Sequence, residues 1–337
     1  LELEHYVNKC CRFFEKMGVV SGDILTISVP NSISFIVLYF AGLRSGIKVN
    51  PCPSTLSENE LIKNINFVES KLLITQKLID TDIISDNCSY LKFNDDDDFL
   101  LQLETYKDDK YEREICSDDI ACIYYSSGTT GNTKSVLYSH KNMLSLTKSI
   151  VNDFQFLSES IHLGVLPLGH TAITNYQLLP SLYAGSTLFL ADNFNSVRGD
   201  IWKIVADFNI TYLQVVPTIL FAMIATPYDD ENVKANRSLK YIGCGSAPLS
   251  IESQINFYNR FNVKVANLYG LSETGPSHFD NPLLPNWEPG SIGYPLTVNE
   301  CKIFSKDLNE LKIGEIGQIG LRGDNIFVGY YKNKKAY

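Results

Sequence analysis

Paired cysteines, clustered histidines and long apolar runs are all missing from this sequence, and each absence removes a class of protein. The cysteines Cys10, Cys11, Cys52, Cys88, Cys116, Cys122, Cys244 and Cys301 form no C-x-x-C pair, and no histidine stands at metal-ligand spacing from them. That excludes a disulfide frame or a Cys/His zinc site as the organising device. Cys122 and Cys244 lie in or beside apolar strand-like runs and read as buried thiols of a reducing, intracellular compartment. The longest mainly apolar run, Ile33–Leu43, is too short to span a bilayer. No signal peptide opens the chain, which starts at Leu1-Glu2-Leu3-Glu4 already in helical register. Surplus positive charge is missing too. A net charge of −9 argues against a nucleic-acid or anionic-membrane surface, though not against a nucleotide, which needs only local N–H groups and a cation or two. Repeats with a period of roughly 20–50 residues are absent, as are low-complexity linkers.

What remains is an ordinary globular composition, 45% hydrophobic and 20% charged over 337 residues, enough for more than one packing unit. Apolar strands alternate with amphipathic helices. A helix with Val7, Cys10, Cys11, Phe14 and Met17 on one face precedes a strand at Ile24–Val29. Asn31 is the expected cap of a helix over Ser32–Ser45, and Ser57-Glu58-Asn59-Glu60 is a capping box opening a helix over Asn59–Ser70. A strand at Leu72–Thr75 follows. Such βαβα alternation predicts a parallel sheet with helices on its faces, and it resumes beyond His140. Helices are expected at Ala172–Tyr183 (interrupted or ended near Pro180) and Val197–Phe208, with strands at Leu239–Gly243 and Val263–Leu268. After Pro276 short strands with Gly and Pro turns suggest a small antiparallel barrel. The expected fold is α/β: two stacked parallel-sheet subdomains over about residues 1–158 and 159–285, and a barrel part over 286–337. Asp95–Asp98 reads as a solvated connection.

One stretch stands out chemically. The run Ala121-Cys122-Ile123-Tyr124-Tyr125 delivers the chain into Ser126-Ser127-Gly128-Thr129-Thr130-Gly131, and Lys134 follows. The glycines let backbone N–H groups approach a ligand closely, and hydroxyls and an ammonium stand ready for phosphate oxygens. A P-loop would open directly into a helix. Here Lys134 is followed by Ser135-Val136-Leu137-Tyr138-Ser139, an alternating run that predicts a strand. Strand–loop–strand argues against a kinase or GTPase.

The segment from Tyr124 to His140 resembles the phosphate loop of the adenylate-forming superfamily, which includes acyl-CoA synthetases, coumarate-CoA ligases and beetle luciferases. It departs from that pattern at Thr133 (usually proline) and Ser135 (usually glycine). Further segments match in order: Pro167-Leu168-Gly169-His170, Gly243-Cys244-Gly245-Ser246-Ala247-Pro248-Leu249, Asn267-Leu268-Tyr269-Gly270-Leu271-Ser272-Glu273-Thr274, Pro289–Pro295, and Gly314 through Tyr331. The resemblance implies an adenylation domain that joins a fatty or aryl carboxylic acid to ATP, with Mg²⁺, and passes the acyl group to CoA. It implies that Lys134 and the Ser126–Gly131 loop hold phosphates and that His170 lies beside the acyl carboxylate. Gly245, Ser246, Ala247 and Pro248 would line the adenine, on which Tyr269 would stack. Ser272 would contact the α-phosphate and Glu273 would hold Mg²⁺, while Asn267 and Gly270 complete the segment. Leu168, Gly169 and Ala172, where the family usually has bulky residues and often an aromatic one, imply a roomier or differently shaped acyl pocket. The family's T-G-D segment, hinge and C-terminal lid are not in the sequence, so the resemblance implies a large N-terminal domain alone. Amino-acid-activating domains need an acid near His170, and Leu168–Tyr176 has none. A non-catalytic nucleotide- or acyl-binding chain is the alternative. Cytoplasm and peroxisome are the expected compartments.

Overall fold

Capped helices and short apolar strands alternate through the chain as the pattern predicts, and they gather into two sheets. The computed structural model describes residues 2–126, 134–235 and 238–333. These divide into two compact units. One comprises residues up to 140 with 167–174 and the end from 327; the other comprises 141–166 and 175–326.

In the first unit, β1 (Ile24–Ser28), β2 (Lys48–Pro51), β3 (Leu72–Thr75), β4 (Ser89–Lys92), β5 (Ile120–Ser126) and β6 (Lys134–Ser139) form a sheet completed by the short strand Gly329–Tyr330. Its order is Gly329–Tyr330, β6, β5, β2, β1, β3, β4. Pairing is parallel from β5 to β4 and antiparallel at β5–β6 and at Gly329–Tyr330. All five residues of β1 are buried, the mark of a central parallel strand covered on both faces. The capping box is present: Ser57 Oγ accepts from the Glu60 N–H, and Glu60 returns a bond to Ser57. The helix it opens runs Glu58–Val68 and packs Leu61, Ile62 and Ile65 against Leu73 and Cys52.

Two expectations in this unit are corrected. Ser32, not Asn31, caps the helix Ile33–Arg44, its side chain accepting from the Phe35 N–H. Asn31 turns its amide oxygen to the Leu168 N–H, 2.7 Å away. The acidic run is more than a solvated connection. Asp95 caps the helix Asp96–Leu103, and the Asp96 carboxylate accepts from the N–H groups of Ile33 and Ser34 at 3.0 and 3.1 Å. One helix thus caps another, satisfying donors that the first turn of Ile33–Arg44 cannot satisfy itself. Asp96→Ala is expected to destabilise the chain by about 1 kcal/mol, and exposed Asp97→Ala by far less. Indistinguishable urea midpoints for the two variants would refute this cap.

The second unit holds β7 (Ile161–Gly164), β8 (Thr187–Leu190), β9 (Tyr212–Val215), β10 (Tyr241–Gly245), β11 (Val265–Leu271), β12 (Gly275–Phe279) and β13 (Tyr294–Pro295), in the order β13, β12, β11, β10, β9, β7, β8. The five strands from β11 to β8 are parallel, and β12 and β13 are antiparallel additions. Strand alternation divides the core. Leu163, Leu213, Ile242 and Val265 join one apolar cluster with Phe257 and Phe261, while Tyr212, Tyr241, Ala266 and Leu268 join a second with Phe154 and Phe279. The antiparallel tail is a two-stranded sheet, β14 (Asn299–Phe304) with β15 (Gln318–Gly323).

Two expected helices of this region are divided. A break after Val197 separates Phe194–Val197 from Ile201–Asp207. The expected helix Ala172–Tyr183 contains a π-turn at Thr174–Leu178 between helical residues 171–173 and 179–184. Pro180 accounts for it: proline donates no hydrogen bond, and its ring clashes with the carbonyl four residues back, so the preceding turn widens.

Candidate functional site

The first unit carries Ser126 and Lys134, the residues on either side of the expected phosphate loop. β5 and β6 pair antiparallel with Ser126 opposite Lys134. Lys134 starts a strand, as expected, and no helix follows it until His140. The Ser126 Oγ is buried and has no hydrogen-bond partner among the described residues. Lys134 Nζ lies 4.9 Å from the centroid of the Tyr330 ring, a cation–π contact that aims the ammonium without neutralising it. Ser127, Gly128, Thr129, Thr130 and Gly131 lie outside the described residues.

His170 sits on a tightly held loop of the same unit. Its Nδ1 accepts from the Ala172 N–H at 3.1 Å, which puts the ring proton of the neutral form on Nε2. Crowding by neighbouring atoms lowers its pKa from the ordinary value even though an edge of the ring stays exposed. The loop is clamped from several sides. Asn31 binds the Leu168 N–H, and the Tyr124 hydroxyl donates to Thr174 Oγ1, which donates on toward the His170 carbonyl at 3.3 Å. Of the two expectations for this stretch, a roomier or a differently shaped pocket, extra room does not hold at Gly169. A Cβ at Gly169 would collide with the Cys52 carbonyl and the Pro53 nitrogen, so backbone fills the space that a side chain would take. Tyr39, Tyr124 and Cys122 form a buried cluster behind this loop, with the two phenol oxygens 3.0 Å apart.

The second unit carries the remaining segments. β10 and β11 are parallel neighbours with Gly245 opposite Leu268, so Gly245–Pro248 and Tyr269–Glu273 leave the same carboxyl edge side by side. Open α/β sheets bind ligands at that edge. Gly245 permits the close pairing, since a Cβ there would stand 2.7 Å from the Leu268 carbonyl oxygen. Ser246 follows in the left-handed region at φ +70°, an unusual conformation for a non-glycine residue. Ser246, Ala247 and Pro248 are exposed, leaving a platform of small residues. Gly270 is where β11 and β12 pinch together, because a Cβ would strike the Gly275 carbonyl. Ser272 and Glu273 occupy the turn between these strands, half-buried. Thr274 braces the turn by accepting from the Leu271 N–H, and Asn325 Nδ2 donates to the Thr274 carbonyl.

Asn267 and Tyr269 also have structural partners. Asn267 is buried and donates to the Ser291 carbonyl at 2.9 Å. Tyr269 lies edge-on to the His278 ring, centroids 5.8 Å apart. Ser277 Oγ reaches both the Tyr269 carbonyl and His278 Nδ1. The supports Thr174, Ser277 and His278 belong to no motif, and although Tyr124 and Asn325 lie within matched segments and Asn31 reads as a helix cap, none of them is marked as a support. Their positions in an apolar strand or beside a turn carry no chemical signal until the chain is folded. Among the described residues no three His, Cys, Asp or Glu side chains converge as a metal cage, and no helix is long and apolar enough to cross a membrane.

Comparison with known proteins adds independent findings. Residues 1–331 match the family described as AMP-binding enzyme. The chain is 26% identical to 4-coumarate–CoA ligase 2 of Nicotiana tabacum and 28% identical to 4-coumarate–CoA ligase 1 of Petroselinum crispum. In each case 99% of this chain is covered but only 64% of the relative, so the chain spans less than two thirds of those proteins. Among solved structures, ATP-bound MatB from Rhodopseudomonas palustris superposes with a TM-score of 0.89 at 23% identity, covering 99% of this chain and 67% of that one. The N-terminal domain of FACL13 from Mycobacterium tuberculosis gives 0.86 at 21% identity, covering 99% of this chain and 84% of that one. These likenesses establish the fold.

Proposed function

This chain belongs to the AMP-binding enzyme family, and from that premise we propose that it activates a carboxylic acid with ATP. The products are an acyl-adenylate and pyrophosphate, as the first half of acid–CoA ligation. The observation that carries this reading is the shared carboxyl edge of β10 and β11. It sets a small-residue platform, Gly245–Pro248, beside an aromatic ring and a carboxylate, Tyr269 and Glu273. A flat base would fit the platform and the ring, and the carboxylate would hold a cation against the phosphates. The names of the curated relatives, 4-coumarate–CoA ligases, favour an aryl acid over a fatty one.

The chemistry brings two anions together, a carboxylate and the α-phosphate. Lys134 and the Ser126 hydroxyl would bind phosphate oxygens, and the Ser272 hydroxyl would donate to the α-phosphate. His170, neutral with its proton on Nε2, would donate to the acyl carboxylate without adding a charge that neutralises the nucleophile. Glu273 would hold a divalent cation with phosphate oxygens and water among its other ligands, since no group of three or more His, Cys, Asp or Glu side chains converges among the described residues. Such a cation would offset the charge that builds on the phosphates. Donors fixed before the reaction act most strongly where water is excluded.

Thermal shift with non-hydrolysable acyl sulfamoyl adenosines of short, long and aromatic acids tests this reading. A mimic at about 100 times its Kd should stabilise the native chain by about 2.7 kcal/mol, aromatic ones at the lowest concentration. If a cooperatively melting chain shifts with none of them and not with ATP, the reading is wrong and the chain is a non-activating member of its family.

A further inference from the structure

Lys134 is the cation that phosphate binding needs, and the group that aims it comes from far along the chain. Among the described residues no carboxylate pairs with its ammonium, which stands 4.9 Å from the centroid of the Tyr330 ring. Register explains the meeting. Gly329–Tyr330 pairs antiparallel with β6, and Tyr330 lies opposite Val136. Side chains two apart on a strand share a face, so Lys134 and Tyr330 are diagonal neighbours on one side of the sheet. Ser126, opposite Lys134, stands on that side too. The Tyr330 ring is itself held, with Phe327 packed edge-on against it at a centroid distance of 4.9 Å. The next two residues fasten this strand to the end of the helix Glu58–Val68. The Tyr331 N–H donates to the Ser135 carbonyl at 2.8 Å, and alternation turns the Tyr331 ring to the opposite face of the sheet. There it packs with Ile24, Val68 and Ile123, and its hydroxyl donates to the Val68 carbonyl at 3.1 Å. Lys332 donates to the Phe67 carbonyl at 3.0 Å and pairs with Glu69 at 2.8 Å. Both carbonyls belong to the last turn of the helix, where the helix itself offers no donors.

We propose that Tyr330 is a positioning residue for nucleotide phosphate binding. Its ring holds the Lys134 ammonium in the pose that meets phosphate oxygens, and the Tyr331–Lys332 clamp on the helix end holds the ring. The inference rests on the acid-activation reading and adds to it a group that itself touches no substrate. Lysine carries its charge on a flexible four-carbon stem, so gripping an anion costs it rotamer freedom unless the stem is already ordered. A carboxylate could order it, but would compete with the phosphate for the charge. An aromatic face orders the ammonium and leaves its charge to the phosphates. The ring does this, not the hydroxyl.

Titration calorimetry on the whole chain with Mg²⁺ compares two ligands, ATP and an aromatic acyl sulfamoyl adenosine that carries no phosphate. Tyr330→Leu removes the ring and should weaken ATP about three- to tenfold, as expected for one loosened side chain, while leaving the mimic unaffected. Tyr330→Phe keeps the ring and should bind ATP as the native chain does. In a Lys134→Met background the Leu substitution should weaken ATP no further, because the two residues act as one. Lys332→Met, at the surface, releases the clamp and should weaken ATP in the same sense, which keeps the test open should Tyr330→Leu not fold. Equal losses of ATP and mimic in Tyr330→Leu, equal losses of ATP in the Phe and Leu variants, or a loss that persists without Lys134 would each overturn the inference and leave acid activation standing. Native ATP affinity in Tyr330→Leu would do the same, and native affinity in Lys332→Met would overturn the clamp. A native chain that binds the mimic but not ATP overturns this inference alone. If it binds neither ATP nor any mimic, the acid-activation reading fails and takes this inference with it.

Discussion

Gly169→Ala is expected to cost about 3 kcal/mol or more, an unusually large penalty for one methyl group. The reason lies in what the methyl would meet. A Cβ at this position falls inside contact distance of the Cys52 carbonyl carbon and oxygen and of the Pro53 nitrogen. A long side chain could swing away, but these are backbone atoms held by their own bonds. The Cys52 N–H donates to the Ile27 carbonyl of β1 at 2.8 Å, so the segment cannot retreat without pulling on the central strand. The His170 loop must move instead, and it is also held, by Asn31 at the Leu168 N–H and by Thr174 at the His170 carbonyl. Gly199→Ala is the control. Nothing stands within 4 Å of a Cβ there, and the backbone is not left-handed, so that variant should be neutral or slightly stabilised. Urea unfolding measures both. Equal midpoints for the two variants would show that the Cys52–Pro53 contact is soft. The histidine resonances give a second readout, since a displaced loop would release His170 Nδ1 from the Ala172 N–H.

Gly169 also illustrates how far the sequence could be read. The segment Pro167–His170 was legible as a motif, because Gly and His beside a strand are uncommon neighbours with a clear chemical use. What Gly169 is for was not legible. Two segments over a hundred residues apart in the chain meet there, and local composition carries no trace of such a meeting. Capping shows the same division. Ser57 and Glu60 satisfy each other within one turn, so four consecutive letters contain the whole interaction. The Asp96 carboxylate caps a helix that starts 63 residues earlier, and in the sequence it is one acid in a row of four. Asn31 was a sound helix cap on local grounds, but Ser32 performs that role and the asparagine bonds elsewhere. Parallel strands were found as apolar runs because burial on both faces removes the alternation that would confuse them with surface strands. β12 was missed because Gly275-Pro276-Ser277-His278 reads as turn chemistry. It becomes a strand by pairing antiparallel with β11.

Acid should unfold this chain more readily than its carboxylates alone explain, and His162 is the reason. The ring is fully buried, packed edge-on against Phe156 and Tyr212 with centroids 4.3 and 5.3 Å away. Its Nδ1 meets Ser181 Oγ at 3.1 Å, and its Nε2 has no partner. Burial without a carboxylate nearby pushes the pKa from the ordinary 6.5 down to about 4. The depressed value fixes the sign. Above about 6.5 neither state is protonated, and the stability is fully present. As pH falls from there toward 4 the unfolded chain takes up a proton that the folded chain refuses, and about 3 kcal/mol is lost across that window. His140, His170 and His278, whose pKa values burial also lowers, act in the same direction. Asp280 opposes them. Desolvation, with Glu288 adding repulsion, raises its pKa to about 6, so the folded chain gains a proton first as pH falls and is favoured by it. The clean measurement is therefore a difference. Urea unfolding of the native chain and of His162→Phe at pH 7 and pH 4.5 isolates the one ring, because every other group titrates in both proteins. Phenylalanine suits the aromatic nest but strands the Ser181 hydroxyl, so the variant should be weaker at pH 7. It should lose about 2–3 kcal/mol less than the native chain on acidification. Parallel losses in the two proteins would mean that water reaches His162 and that its proton is not excluded by the fold.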